Sequence, residues 1–352
     1  MFIHDQWPDP ADWPPLSKGG VLDVSPPHLE DVLAFLTDAT GEPRPGLKKI
    51  LGMNGFSVSA VFDVSGTGVV FKCNWCPLFQ QHPRILRLLN EGMPGATPEV
   101  IADRVDGRGA WVLTERISGE TIQAAGAPDL IGDAARRMGE IQVAFAALRE
   151  DRVSELRRFP PRTEMLSFLI DTVERKYLET WLRGGAVLTR NGKTRTFDIP
   201  DDFLDRLATL GARVSSWEEE LAQEGIPDSI HHTDRHPDNA MVTPEGEIKI
   251  IDWNRAVLAF PFDSVYWLVS MSDESPWSLP KSTVRDQYLG VIPWGRPERL
   301  ADRVWALGRL VANIESAYES EILKQALNYS EDNGSNIAGL LLNALNRWER
   351  VN

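Results

Sequence analysis

The first third of the chain alternates apolar and polar residues in a way that predicts a β-hairpin. Between positions 56 and 64, apolar residues stand at every second position, and most of the residues between them are polar. A strand with one buried face shows this period of two. The Ser-Gly-Thr-Gly sequence at 65–68 predicts a turn, and residues 69–73 predict the returning strand. Residues 110–114 predict a further strand.

The rest of the chain has the period of amphipathic helices. Apolar residues recur at intervals of three and four in four long segments, which are 129–150, 164–182, 202–222 and 298–318. Shorter helices are predicted at 27–36 and 84–91, and a pair of short strands at 241–242 and 248–251. The pattern indicates an α+β fold with a small antiparallel-sheet N-lobe and a larger, mainly helical C-lobe.

The length of the chain agrees with two lobes, because 352 residues exceed what one hydrophobic core usually supports. We expect an N-lobe at 27–118 and a C-lobe at 119–352. Residues 1–26 are rich in proline and aromatic residues without clear periodicity, so we expect them to form an extended arm.

Charge and cysteine content narrow the classes of partner. The chain has 51 acidic and 37 basic residues and a net charge of −14. This charge disfavours nucleic acid and anionic membranes, and it either favours cationic ligands or serves solubility alone. The sequence has no signal-peptide pattern and no apolar run of ~20 residues. Its two cysteines, Cys73 and Cys76, are interpreted as thiols near a strand end rather than a metal or redox pair, and we expect a cytoplasmic protein.

One short polar stretch departs from both periods. Residues 231–239 read HHTDRHPDN and hold three of the six histidines in the chain. Such side chains are costly to bury unless they are paired. The stretch lies between apolar segments, so we expect a loop held on a rigid scaffold, where chemistry is often located.

The spacing of acidic and amide side chains around this loop suits phosphoryl transfer. Asp234 and Asn239 lie in the loop, and Asp252 follows Asn239 by 13 residues. A carboxylate at 234 can orient an attacking hydroxyl and accept its proton. Asn239 and Asp252 offer the oxygen ligands that Mg²⁺ requires when it bridges nucleotide phosphates.

At these residues the sequence resembles the aminoglycoside phosphotransferase-like kinases, small-molecule relatives of protein kinases. Their motif is similar to H-G-D-x-H-x-x-N followed by I-D-[WF], and this chain has HTDRHPDN at 232–239 and IDW at 251–253. The resemblance implies a two-lobed, protein-kinase-like fold. It also implies an enzyme that transfers the γ-phosphate of ATP or GTP, with Mg²⁺, to a hydroxyl of a small molecule.

The resemblance assigns further residues to the nucleotide and to the support of the loop. It implies phosphate contacts from Lys72 and from the loop that contains Gly55, Phe56 and Ser57. It places the purine edge against the backbone carbonyl of Glu115 and the backbone N–H of Ile117. It gives His232, His236 and Asp263 supporting roles, of which Asp263 braces the catalytic loop from the following helix.

Three positions depart from the family pattern. His82 stands where the family commonly has a glutamate that pairs with the lysine corresponding to Lys72. Thr233 replaces a glycine, and Arg235 replaces a residue that is more often leucine. The missing glutamate leaves open a non-catalytic kinase-fold protein. A metal-dependent hydrolase, the other alternative, lacks the spacing of a two-metal site.

The acceptor is the least determined part of this interpretation. An aminoglycoside or other antibiotic, a metabolic sugar and an amino alcohol all remain open, because the acceptor pocket carries no transferable sequence code. Three acids in the C-lobe, Asp238, Asp273 and Glu274, could line the mouth of the cleft. They lead us to expect a cationic acceptor, since acidic side chains attract cations.

Overall fold

The protein is described here by a computed structural model. The residues that the structure describes are 28–43, 45–49, 59–74, 76–106, 109–190, 193–234, 236–274, 276–296, 299–326 and 334–351. The predicted arm at 1–26 lies outside the described residues. So do the predicted phosphate-loop residues Gly55, Phe56 and Ser57, and Arg235, which departs from the family pattern.

The N-lobe contains a five-stranded antiparallel sheet in the order β1-β2-β3-β5-β4. Its strands are β1 (Gly46–Lys49), β2 (Ser59–Ser65), β3 (Val69–Asn74), β4 (Val100–Asp106) and β5 (Gly109–Glu115). The predicted hairpin is confirmed as β2 and β3, and the predicted strand at 110–114 is confirmed as β5. Periodicity did not predict β1 or β4.

Aromatic residues on one face of this sheet form the core of the N-lobe. Phe62 and Phe71 lie opposite each other across β2 and β3, and their rings stack with centroids 6.2 Å apart. Trp111 of β5 packs edge-on against Phe71. Helix α1 (Leu29–Thr40) covers this face with Val32 and Leu36, both fully buried. Successive side chains of a strand point to opposite faces of the sheet. Lys72, which follows Phe71 on β3, therefore points away from this core and can approach the C-lobe.

Helices dominate the remainder of the chain. They are α2 (His82–Gly92), α3 (Ile122–Ala125), α4 (Leu130–Ala146), α5 (Glu150–Val153), α6 (Arg162–Thr172), α7 (Leu178–Gly184), α8 (Phe203–Ala222), α9 (Asp263–Met271), α10 (Lys281–Leu289), α11 (Trp305–Ala326) and α12 (Ser335–Val351). The described helices include none that is both long and apolar enough to span a bilayer.

The four long helical predictions are confirmed with adjusted bounds. They correspond to α4, to the pair α6 and α7, to α8 and to α11. A π-helical turn at Val173–Tyr177 joins α6 to α7, and another at Leu300–Val304 precedes α11. A period of 3.6 cannot reveal such turns, because each adds only one residue to the helical repeat.

Short strands hold the polar loop in place. Strand β9 (Ser229–His231) leads into the loop and pairs antiparallel with β12 (Val257–Ala259). The loop ends in a 3-10 turn at Pro237–Asn239 and continues into the hairpin β10 (Ala240–Val242) and β11 (Ile248–Ile250). Strand β6 (Glu120–Thr121) adds to β10, so the chain joins the C-lobe directly after it leaves β5. A separate hairpin, β7 (Ala186–Arg190) and β8 (Lys193–Phe197), follows α7.

Candidate active site

Lys72 and Asp252 form an ion pair between the two lobes. The ammonium of Lys72 comes from the middle of β3, and the carboxylate of Asp252 comes from the segment that follows β11. Asp252 has a left-handed backbone with φ of 64° and ψ of 48°. Non-glycine residues adopt this region at a cost, and such residues are enriched at active sites; aspartate tolerates it better than most.

The ion pair keeps the Asp252 carboxylate charged. Burial alone favours the neutral acid, but the Lys72 ammonium outweighs burial and holds the pKa of Asp252 below its usual value. One carboxylate oxygen of Asp252 accepts the hydrogen bond from Lys72. Among the described residues, no donor bonds the second oxygen, which leaves it available to a cation.

The Asn239 side chain is oriented by the backbone of the loop. Its Nδ2 donates a 2.7 Å hydrogen bond to the carbonyl oxygen of Asp234. The carbonyl can only accept, so this contact fixes which end of the amide carries nitrogen. The Ile251 backbone N–H donates to the Asn239 carbonyl at 2.8 Å, which ties the loop to the residue before Asp252. Among the described residues no donor bonds the amide oxygen Oδ1, so it can act as a ligand.

Asp234 is more open than Lys72 and Asp252, with 42% of its side-chain surface exposed. It follows β9 and faces a cavity of about 470 Å³, a volume typical of small-ligand sites. The guanidinium of Arg255 lies 3.9 Å from the Asp234 carboxylate and pairs with Glu319 of α11 at 3.1 Å. Asp234 thus stands where a ligand in the cavity can reach it.

His232 connects the loop to the segment that carries Asp252. Its Nε2–H donates to the Ile251 carbonyl at 2.8 Å, and its ring packs edge-on against Trp253 at 4.5 Å. Its backbone N–H donates to the Ser264 hydroxyl at 3.0 Å. Burial lowers the pKa of His232 below its ordinary value, so the ring is neutral at neutral pH. These contacts suit a positioning role.

Asp263 supports the strand that leads into the loop. It is the first residue of α9, and its carboxylate lies 3.0 Å from Nε2 of His231, with both side chains 1% exposed. The other ring nitrogen of His231 lies 2.8 Å from the Ser264 hydroxyl. The structure therefore places Asp263 against β9, where it can fix the direction in which the chain enters the loop.

His82 occupies the start of α2 close to Lys72. It is buried, and the Asn74 amide donates a 3.2 Å hydrogen bond to its Nδ1. Burial, assisted by the neighbouring Lys72 ammonium, lowers the pKa of His82 to about 3. A neutral ring cannot pair with Lys72 as a glutamate would. Glu91, further along α2, pairs with Arg152 at 2.5 Å, so Asp252 is the acidic partner of Lys72.

The predicted hinge lies at the end of β5. Thr114 is buried, and the Glu115 side chain pairs with Lys249 of β11 at 2.7 Å. The backbone N–H of Arg116 donates to the Gly68 carbonyl at 2.9 Å, and Ile117 is half-buried. The backbone contacts of Glu115 and Ile117 with a purine remain a prediction.

The three acids expected at the acceptor lie outside the cavity. Asp238 accepts a hydrogen bond from the Thr121 hydroxyl at 3.1 Å and lies 3.0 Å from Nδ1 of His236. Asp273 pairs with Lys281 at 3.0 Å, and Glu274 is exposed nearby. Of the predicted site residues, the cavity instead brings together Asp234, His236 and Asp263.

Residues 79–301 match the model of the phosphotransferase enzyme family. The chain belongs to this family. The matched segment contains Asp234, Asn239, Asp252 and Asp263, and it begins seven residues after Lys72. A search of curated proteins found no match.

Solved structures with the same fold include small-molecule kinases. A choline kinase from Cryptosporidium parvum is 11% identical, with a TM-score of 0.56 and coverage of 92% of this chain and 96% of that one. An ethanolamine kinase from Plasmodium vivax is 14% identical, with a TM-score of 0.53 and coverage of 85% and 81%. A thermostable mutant of aminoglycoside phosphotransferase APH(4)-Ia, in a ternary complex with AMP-PNP and hygromycin B, is 19% identical, with a TM-score of 0.50 and coverage of 90% and 98%. These similarities establish a protein-kinase-like fold for the phosphotransferase.

Sequence reasoning missed two features of this phosphotransferase site. Arg255 lies three residues after Asp252, but its contacts with Asp234 and Glu319 depend on the fold. The cavity is lined largely by α9, α11 and α12, which are distant in sequence from the loop. Helix α12 was not predicted, although Ile337, Leu341, Ala344 and Leu345 carry a helical spacing that could have revealed it.

Proposed function

We propose that this phosphotransferase transfers the γ-phosphate of ATP or GTP to a hydroxyl of a small molecule. The observation that carries the proposal is a set of contacts that joins four side chains around the loop after β9, of which Asp234 lines the cavity. Lys72 pairs with Asp252 across the lobes, and Asn239 bonds the backbone of Asp234 beside the cavity. The APH(4)-Ia enzyme, which has the same fold, forms a ternary complex with AMP-PNP and hygromycin B, a nucleotide and a small molecule.

In this proposal Asn239 and Asp252 hold Mg²⁺. The Asn239 amide presents oxygen because its nitrogen is already bonded, and Asp252 is charged with one oxygen unengaged by the described residues. Hard carboxylate and amide oxygens are the donors that Mg²⁺ prefers. The bound cation would neutralise charge on the nucleotide phosphates, while Lys72 adds a second positive charge from the N-lobe.

Asp234 orients the acceptor. Its exposed carboxylate accepts a hydrogen bond from the acceptor hydroxyl and can take up the proton as the oxygen attacks phosphorus. His232 and Asp263 act through the loop, since their contacts fix the backbone at positions 231 and 232, just before Asp234. Arg255 holds Glu319 and lies next to Asp234, so it limits the positions that the catalytic carboxylate can adopt.

The test is phosphate transfer from ATP and GTP to a panel of hydroxylated antibiotics, sugars and amino alcohols. Asp234→Asn should abolish transfer and leave the affinity for Mg²⁺-nucleotide nearly unchanged, because it removes the base without changing the shape. Asp238→Asn is the matched control, because this aspartate of the same loop bonds Thr121 and does not line the cavity. An Asp234→Asn enzyme with more than roughly a tenth of wild-type turnover would refute the assignment.

The same measurements distinguish the proposed enzyme from the non-catalytic alternative. Its support is the neutral His82 in place of the glutamate. The direct pair between Lys72 and Asp252 argues that the lysine is positioned without that glutamate. A protein that binds Mg²⁺-nucleotide but transfers phosphate to no acceptor in the panel, and to no water, would favour the alternative.

A further inference from the structure

The Arg255 guanidinium lies between two carboxylates and bonds only one of the two. Its Nε donates to Oε1 of Glu319 at 3.3 Å, and its Nη2 lies 3.1 Å from Oε2 of the same carboxylate. Its Nη1 lies 3.9 Å from the Asp234 carboxylate. A charge-assisted hydrogen bond between such groups spans about 2.7–2.9 Å. Glu319 therefore holds one edge of the guanidinium at two points, whereas Asp234 is near the cation but is not bonded to it.

The pair with Glu319 is the more buried of the two. The Glu319 side chain is 6% exposed and that of Arg255 is 17% exposed, whereas 42% of the Asp234 side chain is exposed. Ionic hydrogen bonds are stronger where water is excluded, so the buried pair holds the guanidinium against the pull of the exposed carboxylate. Burial alone would lower the pKa of Arg255, but the nearby carboxylates raise it, that of Glu319 more than that of Asp234.

The backbone of Arg255 is fixed, so its side chain alone decides which carboxylate it bonds. The Arg255 carbonyl accepts a hydrogen bond from the Thr233 hydroxyl at 3.2 Å and another from Nη2 of Arg157 at 3.2 Å. Burial lowers the pKa of Arg157, and Glu319 is the strongest of the neighbours that oppose this decrease. Glu319 is thus the main counter-charge of two guanidiniums that converge on residue 255.

The gap between Arg255 and Asp234 matters because the Asp234 carboxylate must receive the acceptor. A general base accepts the hydrogen bond of the reacting hydroxyl at about 2.6–3.2 Å. An arginine fork that binds a carboxylate with two hydrogen bonds engages both of its oxygens. At 3.9 Å, the guanidinium contributes positive potential at Asp234 and leaves the oxygens to the ligand.

We propose that Glu319 is a positioning residue that keeps Arg255 off the catalytic carboxylate. When the charge of Glu319 is removed, the released guanidinium rotates onto Asp234, pairs with it through two hydrogen bonds and blocks the acceptor hydroxyl. This inference rests on the proposed function for the role of Asp234. It makes a glutamate of α11 a determinant of the chemical step, although both of its carboxylate oxygens contact Arg255.

The first arm of the test measures the contact itself and needs no acceptor. Crystal structures of the wild type and of Glu319→Gln, each with Mg²⁺ and AMP-PNP, are compared at residue 255. We expect the Arg255 guanidinium to lie within about 3 Å of the Asp234 carboxylate in the variant and to stay apart from it in the wild type. An unmoved guanidinium in Glu319→Gln, or a wild type in which Arg255 already bonds Asp234, overturns the inference.

The second arm measures the rate of phosphate transfer to acceptors of the panel and to water. We expect Glu319→Gln to lower kcat roughly tenfold or more, because a blocked carboxylate loses part of the ~10²–10⁴-fold contribution of a general base. KM for ATP should change little, because the proposed nucleotide contacts come from other side chains. The Glu319→Gln, Arg255→Gln double variant should have a higher kcat than Glu319→Gln, since the blocking group is gone. Glu319→Asp keeps the charge and should have an intermediate kcat.

Two other roles of Glu319 would give different results. A residue that only supports folding would change stability and the fraction of chains that bind nucleotide, but not kcat per nucleotide-binding chain. A residue that contacts the acceptor directly would not be compensated by the loss of Arg255. A double variant with kcat no higher than that of Glu319→Gln therefore overturns the inference.

Glu224→Gln is the matched control for the loss of a buried glutamate from an arginine pair. Glu224 lies 2.5 Å from Arg296 and 2.5 Å from Arg299, its side chain is 0% exposed, and it does not line the cavity. This variant should lose stability and keep the wild-type kcat. A wild type that binds Mg²⁺-nucleotide but transfers phosphate neither to the panel nor to water would contradict the proposed function, and the crystal structures would still decide the position of Arg255.

Discussion

His82 should make the stability of the protein depend on pH in a way that one substitution can remove. The imidazole is buried beside the Lys72 ammonium, and its pKa falls from 6.5 to about 3. The folded chain therefore leaves this ring neutral at pH values where the unfolded chain protonates it. The unfolded state then binds more protons, so the free energy of unfolding decreases as the pH falls from about 6.5 towards about 3.

The size of the effect follows from the two pKa values. At pH 5, about 1.5 units below the pKa of the unfolded ring, His82 should cost about 2 kcal/mol relative to pH 8, since each unit is worth about 1.4 kcal/mol. His82→Gln keeps a polar side chain beside Asn74 and removes the titrating group. The difference in unfolding free energy between variant and wild type should therefore shift by about 2 kcal/mol in favour of the variant between pH 8 and pH 5.

Urea unfolding followed by tryptophan fluorescence, without metal or nucleotide, measures this difference. Any constant penalty from lost packing cancels, because only the change with pH is interpreted. His28→Gln, at the exposed start of α1, controls for the substitution itself. His232 is also buried with a lowered pKa, so the variant should keep part of the wild-type dependence. Parallel curves for wild type and His82→Gln from pH 8 to pH 5 would refute the reasoning.

Two further predictions concern the nucleotide. Asp252→Ala should remove most of the Mg²⁺-dependent part of nucleotide affinity and Asn239→Ala less of it, because a carboxylate offers a full charge and an amide only a dipole; equal ATP affinity of the wild type with and without Mg²⁺ would contradict both roles. Thr114 is small and precedes the predicted hinge, so purines with bulky groups at the six-position should compete with ATP in a displacement assay. If they fail to compete while ATP binds, another side chain closes the pocket or the hinge lies elsewhere.

The elements that could be predicted from sequence are those in which local pattern and burial coincide. The hairpin of β2 and β3 packs one face on the core of the N-lobe, and the apolar residues of that face stand at alternate positions in the sequence. Helices α4 and α8 bury one stripe each, and their predicted bounds differ by a few residues at most from the observed ones. The motif around Asp234 was also readable, because its residues lie within one short loop.

The elements that could not be predicted owe their structure to distant partners. Strands β9 and β12 have three residues each, too few to show a period. They exist because they pair with each other, although the paired residues His231 and Val257 are 26 positions apart in the sequence. Arg255 has no local motif, since its partner Glu319 lies 64 residues away. The acceptor cavity has the same origin: three helices from the last third of the chain close it around a loop from the middle.

The net charge of the whole chain says little about the charge of the ligand that the cavity can bind. A net charge of −14 describes the average potential over the surface, and salt screens that potential over a Debye length of ~10 Å at 0.1 M. A ligand inside the cavity is closer than this to the groups that line it, so their pairing determines which charge it can carry. Acids that are satisfied by His231 or Arg255 contribute little to that local balance, whereas Arg309, without an acidic partner among the described residues, contributes fully. The average surface charge therefore governs how fast a charged acceptor approaches, and the charged groups that line the cavity govern whether it stays.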